Sequence, residues 1–169
     1  DKYGTINDHI LMLNADLLTA VDSTLIPLGE NVPVEGTPFD FRTPKAIGKD
    51  LPMENENQQL KNGLGYDHNF VLNKEKAGEM TLAAVVVEPN SGRKMEVFTT
   101  EPAIQFYGGN FMDGSDTGKH GKSFDYRESF ALETQHLPDS PNQPQFPSII
   151  LAPGKEYKTS SIYKFSVQK

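Results

Sequence analysis

The strongest structural signal in this sequence is Thr81-Leu82-Ala83-Ala84-Val85-Val86-Val87, followed after Glu88-Pro89-Asn90-Ser91-Gly92 by Lys94-Met95-Glu96-Val97-Phe98-Thr99. Both runs are rich in the β-branched and aromatic residues that strands favour. The segment between them carries a Pro and a Gly, which are typical of a tight turn. The sequence therefore predicts a β-hairpin here.

Short apolar runs of the same kind extend in both directions from this hairpin. The chain has 169 residues with 14 Gly and 12 Pro, which interrupt these runs too often for a helical protein. We expect an all-β fold, a sandwich or a barrel. Residues 21–30 and 152–155 predict turns, and the polar residues 49–63 predict an exposed excursion or a short helix. The further predicted strands are residues 9–14, 17–21, 103–107, 129–135, 148–151 and 156–167.

Composition excludes several classes of function. The formal net charge of −7 argues against nucleic acid or an anionic membrane as a partner. The sequence contains no Cys, which excludes disulfides, thiolate metal sites and cysteine nucleophiles. Its four His residues show no i, i+2 or i, i+4 pair, so we expect no zinc site. No apolar run approaches the ~20 residues of a membrane-spanning helix.

The chain begins at Asp1 without an initiator Met, which suggests a fragment or a processed piece. A cytoplasmic location is expected, and a periplasmic or secreted one is left open.

Glu133 is the first candidate for chemistry. It stands in the apolar run Phe130-Ala131-Leu132-Glu133-Thr134-Gln135, just before a Pro-rich loop. A carboxylate in a mostly buried strand is costly to desolvate and therefore needs a reason. The alternative is a strand-end carboxylate paired with Lys or Arg.

Two further segments contain polar groups between aromatic residues. In Gly65-Tyr66-Asp67-His68-Asn69-Phe70, Asp67 and His68 suit hydrogen bonding to a polyhydroxylated ligand, although such residues also satisfy local backbone groups at strand entries. Gln105, beside Phe106 and Tyr107, resembles the amide-and-ring lining of a sugar pocket. The alternative for this second segment is a strand whose aromatic residues belong to the core, followed by a glycine turn.

Together these motifs resemble the C-terminal half of the aldose 1-epimerase (galactose mutarotase) family, in collinear order over essentially the whole chain. The resemblance is carried by Val32-Pro33-Val34-Glu35-Gly36-Thr37-Pro38-Phe39-Asp40-Phe41-Arg42, Gly65-Tyr66-Asp67-His68-Asn69-Phe70, Glu96-Val97-Phe98-Thr99-Thr100-Glu101-Pro102, Gln105-Phe106-Tyr107, Gly109-Asn110-Phe111-Met112-Asp113-Gly114, Leu132-Glu133-Thr134-Gln135-His136 and Pro138-Asp139-Ser140-Pro141-Asn142-Gln143-Pro144.

The resemblance implies a large antiparallel β-sandwich, of which residues 1–169 would be the C-terminal portion. It also implies interconversion of the α and β anomers of a free aldose, such as galactose or glucose, with no cofactor. Glu133 matches the family's general base, Asp67 a carboxylate that binds sugar hydroxyls, and Gln105 a polar substrate contact. The general acid, a histidine, would lie in an N-terminal half that precedes this chain, and that half is the expected partner.

Two of the chain's own histidines do not replace that acid. His136 lies three residues after Glu133 and should face the other side of a strand, and His68 should face away from Asp67. We expect both to make structural hydrogen bonds.

Two alternatives to this enzyme remain. A non-catalytic carbohydrate-binding module of the same fold would need Asp67 and Gln105 but not Glu133. An epimerase for a phosphorylated hexose would need a basic clamp, and no Arg or Lys cluster lies near the site motifs.

Overall fold

The computed structural model describes residues 4–168. Strands dominate this part of the chain, with one short α-helix, α1 (Gln58–Gly63), and 3₁₀ turns at Ile6–Asp8, Leu51–Asn55, Lys119–Gly121 and Ser140–Asn142. The strands are β1 (Ile10–Leu13), β2 (Ala15–Val21), β3 (Pro27–Pro33), β4 (Lys45–Ala46), β5 (Asp67–Leu72), β6 (Thr81–Val87), β7 (Arg93–Thr99), β8 (Ala103–Tyr107), β9 (Ala131–Gln135) and β10 (Ser161–Val167).

The strands form two antiparallel sheets. The first sheet has the order β10-β7-β6-β1-β4, and the second has the order β3-β2-β5-β8-β9. The predicted hairpin is confirmed: β6 pairs with β7 in a register that joins Val87 to Lys94 and Thr81 to Thr99.

The chain passes from the first sheet to the second at Asn14, between β1 and β2. Its backbone N–H donates to the carbonyl of Ala83 at 2.9 Å, and its side-chain Nδ2 donates to the carbonyl of Leu82 at 3.0 Å. The Asn14 carbonyl accepts from the N–H of Asn73 at 2.9 Å. The backbone and side chain of Asn14 therefore satisfy groups on both sides of the crossing.

The main hydrophobic core combines residues of both sheets. Along β8, Ile104 and Phe106 face this core, whereas Gln105 and Tyr107 occupy the other face, as the two-residue period of a strand requires. The fold is therefore an antiparallel β-sandwich, as predicted. Its buried strand residues are Leu11, Leu13, Ala15, Leu18, Phe70, Leu72, Ala83, Ala84, Val86, Val97, Ile104, Phe106 and Leu132.

Some predicted boundaries were wrong. Residues 148–151 form no strand, and Ile150 is 83% exposed, because no described strand pairs with this run. The predicted turn at residues 21–30 overlaps β3, and the final strand begins only at Ser161. The short helix expected within residues 49–63 is confirmed as α1, whose Leu60 is fully buried.

Strand β5 begins at Asp67 and ends at Leu72. Asp67 is therefore part of the sheet. In the described part of the chain, no helix has the length and apolar character needed to cross a membrane.

Candidate functional site

A cleft of about 420 Å³ lies on the face of the second sheet that points away from the core. Strands β2, β5, β8 and β9 supply most of its walls, because alternate residues of each strand face this side. Its lining residues are Thr19, Val21, Leu25, Asp67, Asn69, Gln105, Tyr107, Phe111, Glu133, Gln135 and Pro138.

All three predicted site residues line this cleft. Glu133 on β9 is the cross-strand partner of Gln105 on β8, so their side chains are neighbours on the same face. Gln105 in turn donates a hydrogen bond from Nε2 to Oδ1 of Asp67 at 2.7 Å. The register of three strands thus brings together residues that are 66 positions apart in the sequence, from Asp67 to Glu133.

The environment of Glu133 differs from the expectation. Its side chain is exposed rather than desolvated, because it stands on the open face of the sheet. The carboxylate of Glu133 makes no hydrogen bond or ion pair with any residue of the described range 4–168. Within this range the alternative of a carboxylate paired with Lys or Arg is therefore wrong as well, and no described side chain keeps the Glu133 carboxylate from a ligand.

Asp67 is the half-buried carboxylate of the cleft. Burial raises its pKa, and the hydrogen bond from Gln105 partly opposes this rise. Of the two predicted carboxylates, Asp67 is therefore the one that loses hydration in the folded state.

His68 is not available to a ligand in the cleft. Its side chain is fully buried, 4.6 Å from the ring of Phe39, and burial lowers its pKa to about 3. Its Nδ1 accepts a hydrogen bond from the backbone N–H of Asp67 at 3.2 Å. The expected structural role is confirmed, and the idea that Asp67 and His68 contact one ligand together is wrong.

His136 also lies outside the cleft lining. Its Nδ1 is 2.7 Å from the carboxylate of Glu101, which is 3% exposed and accepts a further hydrogen bond from the hydroxyl of Tyr157. This contact fastens the end of β9 to the residues that precede β8.

The loop before Asp67 is held by two buried polar side chains. Asn110 donates from Nδ2 to the carbonyls of Gly63 at 3.0 Å and Tyr66 at 2.7 Å, and Arg127 donates from Nη2 to the carbonyl of Leu64 at 3.0 Å. A Cβ at Gly65 would lie 2.2 Å from Arg127 Nη2 and 2.6 Å from Asn110 Oδ1. Gly65, with a φ of +128°, lets this loop pass close to both side chains.

Sequence reasoning missed other polar residues of the cleft. Thr19, Asn69 and Gln135 line it beside the predicted residues. Strand alternation could have found two of them, because Asn69 lies two residues after Asp67 and Gln135 two residues after Glu133. Thr19 carried no comparable signal.

The polar groups of the cleft suit hydrogen bonding to a neutral, hydroxylated ligand. Its described lining contains two carboxylates and three amides but no Lys or Arg. Tyr107 and Phe111 stack nearly parallel at one side, with ring centroids 6.1 Å apart, and provide an apolar surface. Among the described residues, no group of three or more His, Asp or Glu side chains is arranged to hold a metal ion.

Comparison with known proteins adds to this geometry. A family model described as aldose 1-epimerase matches residues 1–164. The chain belongs to the aldose 1-epimerase family.

Relatives in this aldose 1-epimerase family are found in animals and bacteria. The galactose mutarotase of Homo sapiens is 47% identical over 162 residues, which are 96% of this chain and 45% of that protein. The aldose 1-epimerase of Escherichia coli (strain K12) is 36% identical over 166 residues, covering 97% of this chain and 46% of that protein. A crystal structure of a GalM/aldose epimerase homologue from C. elegans superposes with a TM-score of 0.84 at 28% identity, covering 98% of this chain and 47% of the other. The chain spans slightly less than half the length of these relatives.

Proposed function

We propose that this chain supplies the general base of an aldose 1-epimerase, which interconverts the α and β anomers of a free hexose such as galactose or glucose. The observation that carries the proposal is the meeting of Glu133, Asp67 and Gln105 in one cleft of a chain that belongs to this family. The absence of Lys and Arg from the described cleft lining favours an uncharged sugar over a phosphorylated one.

In the proposed reaction, Glu133 accepts the proton of the C1 hydroxyl while the bond between C1 and the ring oxygen breaks. The ring oxygen takes a proton from an acid, and an open-chain aldehyde forms. Rotation about the C1–C2 bond presents the other face of the aldehyde, and closure returns both protons. A positioned general base contributes about 10²–10⁴-fold to such a step. The exposed, unpaired state of Glu133 supports this role, since nothing in residues 4–168 competes for its oxygens.

Asp67 and Gln105 bind sugar hydroxyls in this proposal. The Asp67 carboxylate is an acceptor for hydroxyl protons, and the Gln105 amide is joined to it by their 2.7 Å hydrogen bond. The stacked rings of Tyr107 and Phe111 offer contact to the apolar C–H groups of the sugar.

The proposed reaction also needs an acid that protonates the ring oxygen. Neither His68 nor His136 reaches the cleft, because one lies in the core and the other contacts Glu101. We propose that the donor is a histidine of an N-terminal half of the domain, with residues 1–169 as its C-terminal portion. On this view the chain by itself binds sugar but does not speed anomer exchange.

The test is Glu133→Gln in the complete protein, with anomer exchange followed by polarimetry and sugar binding by saturation-transfer NMR. Exchange should fall at least about 10²-fold while binding persists, because the amide keeps the shape but cannot accept the proton. Glu156→Gln, an exposed carboxylate away from the cleft, is the matched control and should leave both unchanged. Near-normal exchange in Glu133→Gln would refute the role of Glu133, and binding without exchange in the unmodified complete protein would favour a carbohydrate-binding module.

A further inference from the structure

Gln135 occupies the branch point of a hydrogen-bond chain along the floor of the cleft. It lies two residues after Glu133 on β9 and is half-buried. Its Nε2 donates to Oδ1 of Asn69 at 3.0 Å and, more weakly, to Oε1 of Gln105 at 3.4 Å. Both protons of one amide are therefore used to hold two neighbouring amides.

Asn69, the partner on one side of Gln135, is held in place by burial and by a further hydrogen bond. Asn69 is 2% exposed, and its Nδ2 donates to the Oγ1 of Thr19 at 3.0 Å. Thr19 is fully buried and donates in turn to Oδ1 of Asn31 at 2.8 Å. Because buried polar groups are costly to leave unpaired, this part of the chain has one preferred arrangement of donors and acceptors.

The partner on the other side is Gln105, and its amide has a defined direction. Its Oε1 faces the donor of Gln135, and its Nε2 donates to the Asp67 carboxylate at 2.7 Å. A glutamine amide can turn by half a circle and exchange its oxygen and nitrogen at little cost in shape. The donor of Gln135 and the carboxylate of Asp67 both favour the state in which Oε1 of Gln105 faces Gln135 and its Nε2 faces Asp67.

From these contacts we propose that Gln135 is a positioning residue, which fixes the amide of Gln105 and thereby the hydroxyl-binding pair of Asp67 and Gln105. Gln135 acts through Gln105 and takes no part in proton transfer. The inference rests on the proposed function only for its effect on sugar, because the orientation of Gln105 can be measured without a ligand.

The first experiment measures the side-chain amide of Gln105 by two-dimensional ¹H–¹⁵N NMR, with the signal assigned by its loss in Gln105→Met. In Gln135→Met, which keeps the volume but removes both donors, the Gln105 NH₂ signal should move towards the shift of an exposed glutamine and exchange faster with water. Gln58→Met, which removes an exposed amide on α1, is the matched control. A Gln105 signal that is unchanged in a folded Gln135→Met protein would overturn the proposal.

The second experiment is a double-mutant cycle on sugar affinity in the complete protein. Gln135→Met should raise the Kd for galactose or glucose by about tenfold, the effect of one hydrogen bond. In a Gln105→Met background the same change should alter Kd less than about twofold, because its target is gone. Equal effects in both backgrounds would refute action through Gln105. If the unmodified protein binds no aldose, the proposed function fails, while the NMR result still decides the role of Gln135.

Kinetics separate positioning from a general loss of structure. Gln135→Met should raise KM with little change in kcat, whereas loss of the base Glu133 should lower kcat. Gln135→Asn, which retains an amide on a shorter side chain, should recover part of the affinity. A fall in kcat with KM unchanged would contradict a positioning role.

Discussion

The side-chain Nδ2 of Asn110 donates a hydrogen bond of 2.7 Å to the carbonyl oxygen of Tyr66, the residue directly before Asp67. The same nitrogen donates to the carbonyl of Gly63 at 3.0 Å, so one buried amide holds both ends of the turn that leads into β5. The position of the Asp67 carboxylate in the cleft therefore depends on a residue that follows β8 and lies outside the cleft lining.

Replacement of Asn110 by Ala should destabilise the protein and weaken its sugar binding together. The carbonyl of Gly63 loses a buried donor, which costs about 1–3 kcal/mol in the free energy of unfolding. Urea unfolding measures the first effect and saturation-transfer NMR the second. Asn55→Ala, at an exposed amide, should change stability by less than about 0.5 kcal/mol. Loss of stability comparable to that of the control would contradict the bridging role of Asn110.

Gly65→Ala should be more damaging than the same change at another glycine with positive φ. The new Cβ would lie 2.2 Å from Arg127 Nη2, whereas a Cβ at Gly78, with a φ of +74°, meets nothing within 4 Å. Backbone strain alone costs about 1–2 kcal/mol at a left-handed position, and overpacking adds about 1–3 kcal/mol. Thermal and urea unfolding of both variants should show that Gly65→Ala is less stable than Gly78→Ala by about 1–3 kcal/mol, the cost of overpacking. Equal losses would mean that Arg127 and Asn110 move aside freely.

How far the sequence predicts this molecule depends on the range of the interactions involved. The hairpin of β6 and β7 is local, and its turn and β-branched runs were sufficient to predict it. The face of each strand follows from the two-residue period, so Gln105 and Glu133 could be assigned to one face once their strands were recognised. Residues 148–151 have the composition of a strand, but pairing depends on a distant neighbour that local composition does not reveal.

The electrostatics of the cleft were less predictable for the same reason. An acid within an apolar run suggested a desolvated Glu133, yet burial depends on what covers the face, and in residues 4–168 that carboxylate is exposed. The more buried of the two acids in the cleft is the half-buried Asp67, whose neighbours come from β8 and from the loop before β5. The supporting roles of Asn110 and Arg127 depend on contacts over more than 40 positions and had no signal in local sequence.

Asp67→Asn should weaken sugar binding and stabilise the fold at neutral pH. Burial raises the pKa of this carboxyl in the folded state, so ionisation favours the unfolded chain once the pH exceeds the unfolded pKa of about 3.8. The variant removes this cost, while the sugar loses a charged acceptor and its Kd should rise about tenfold or more. Urea unfolding at pH 7 and NMR titration measure the two effects, and at pH 3 the gain in stability should be smaller. A variant that binds sugar as tightly as the unmodified protein would remove Asp67 from the proposed site.

Glu101→Gln should make the stability of the protein less sensitive to acid. Burial opposes ionisation of Glu101, but hydrogen bonds from Thr159 and Tyr157 and the contact with His136 outweigh it and lower its pKa. A carboxyl with a lowered folded pKa stabilises the fold above its unfolded pKa of about 4.5, and this contribution disappears as the pH falls through the folded value. Urea unfolding at pH 6, 4.5 and 3 should therefore show a steeper loss in the unmodified protein than in Glu101→Gln, with Glu156→Gln, an exposed carboxylate, following the unmodified protein. Parallel pH profiles for Glu101→Gln and the unmodified protein would show that the contact between β9 and the start of β8 does not depend on the charge of Glu101.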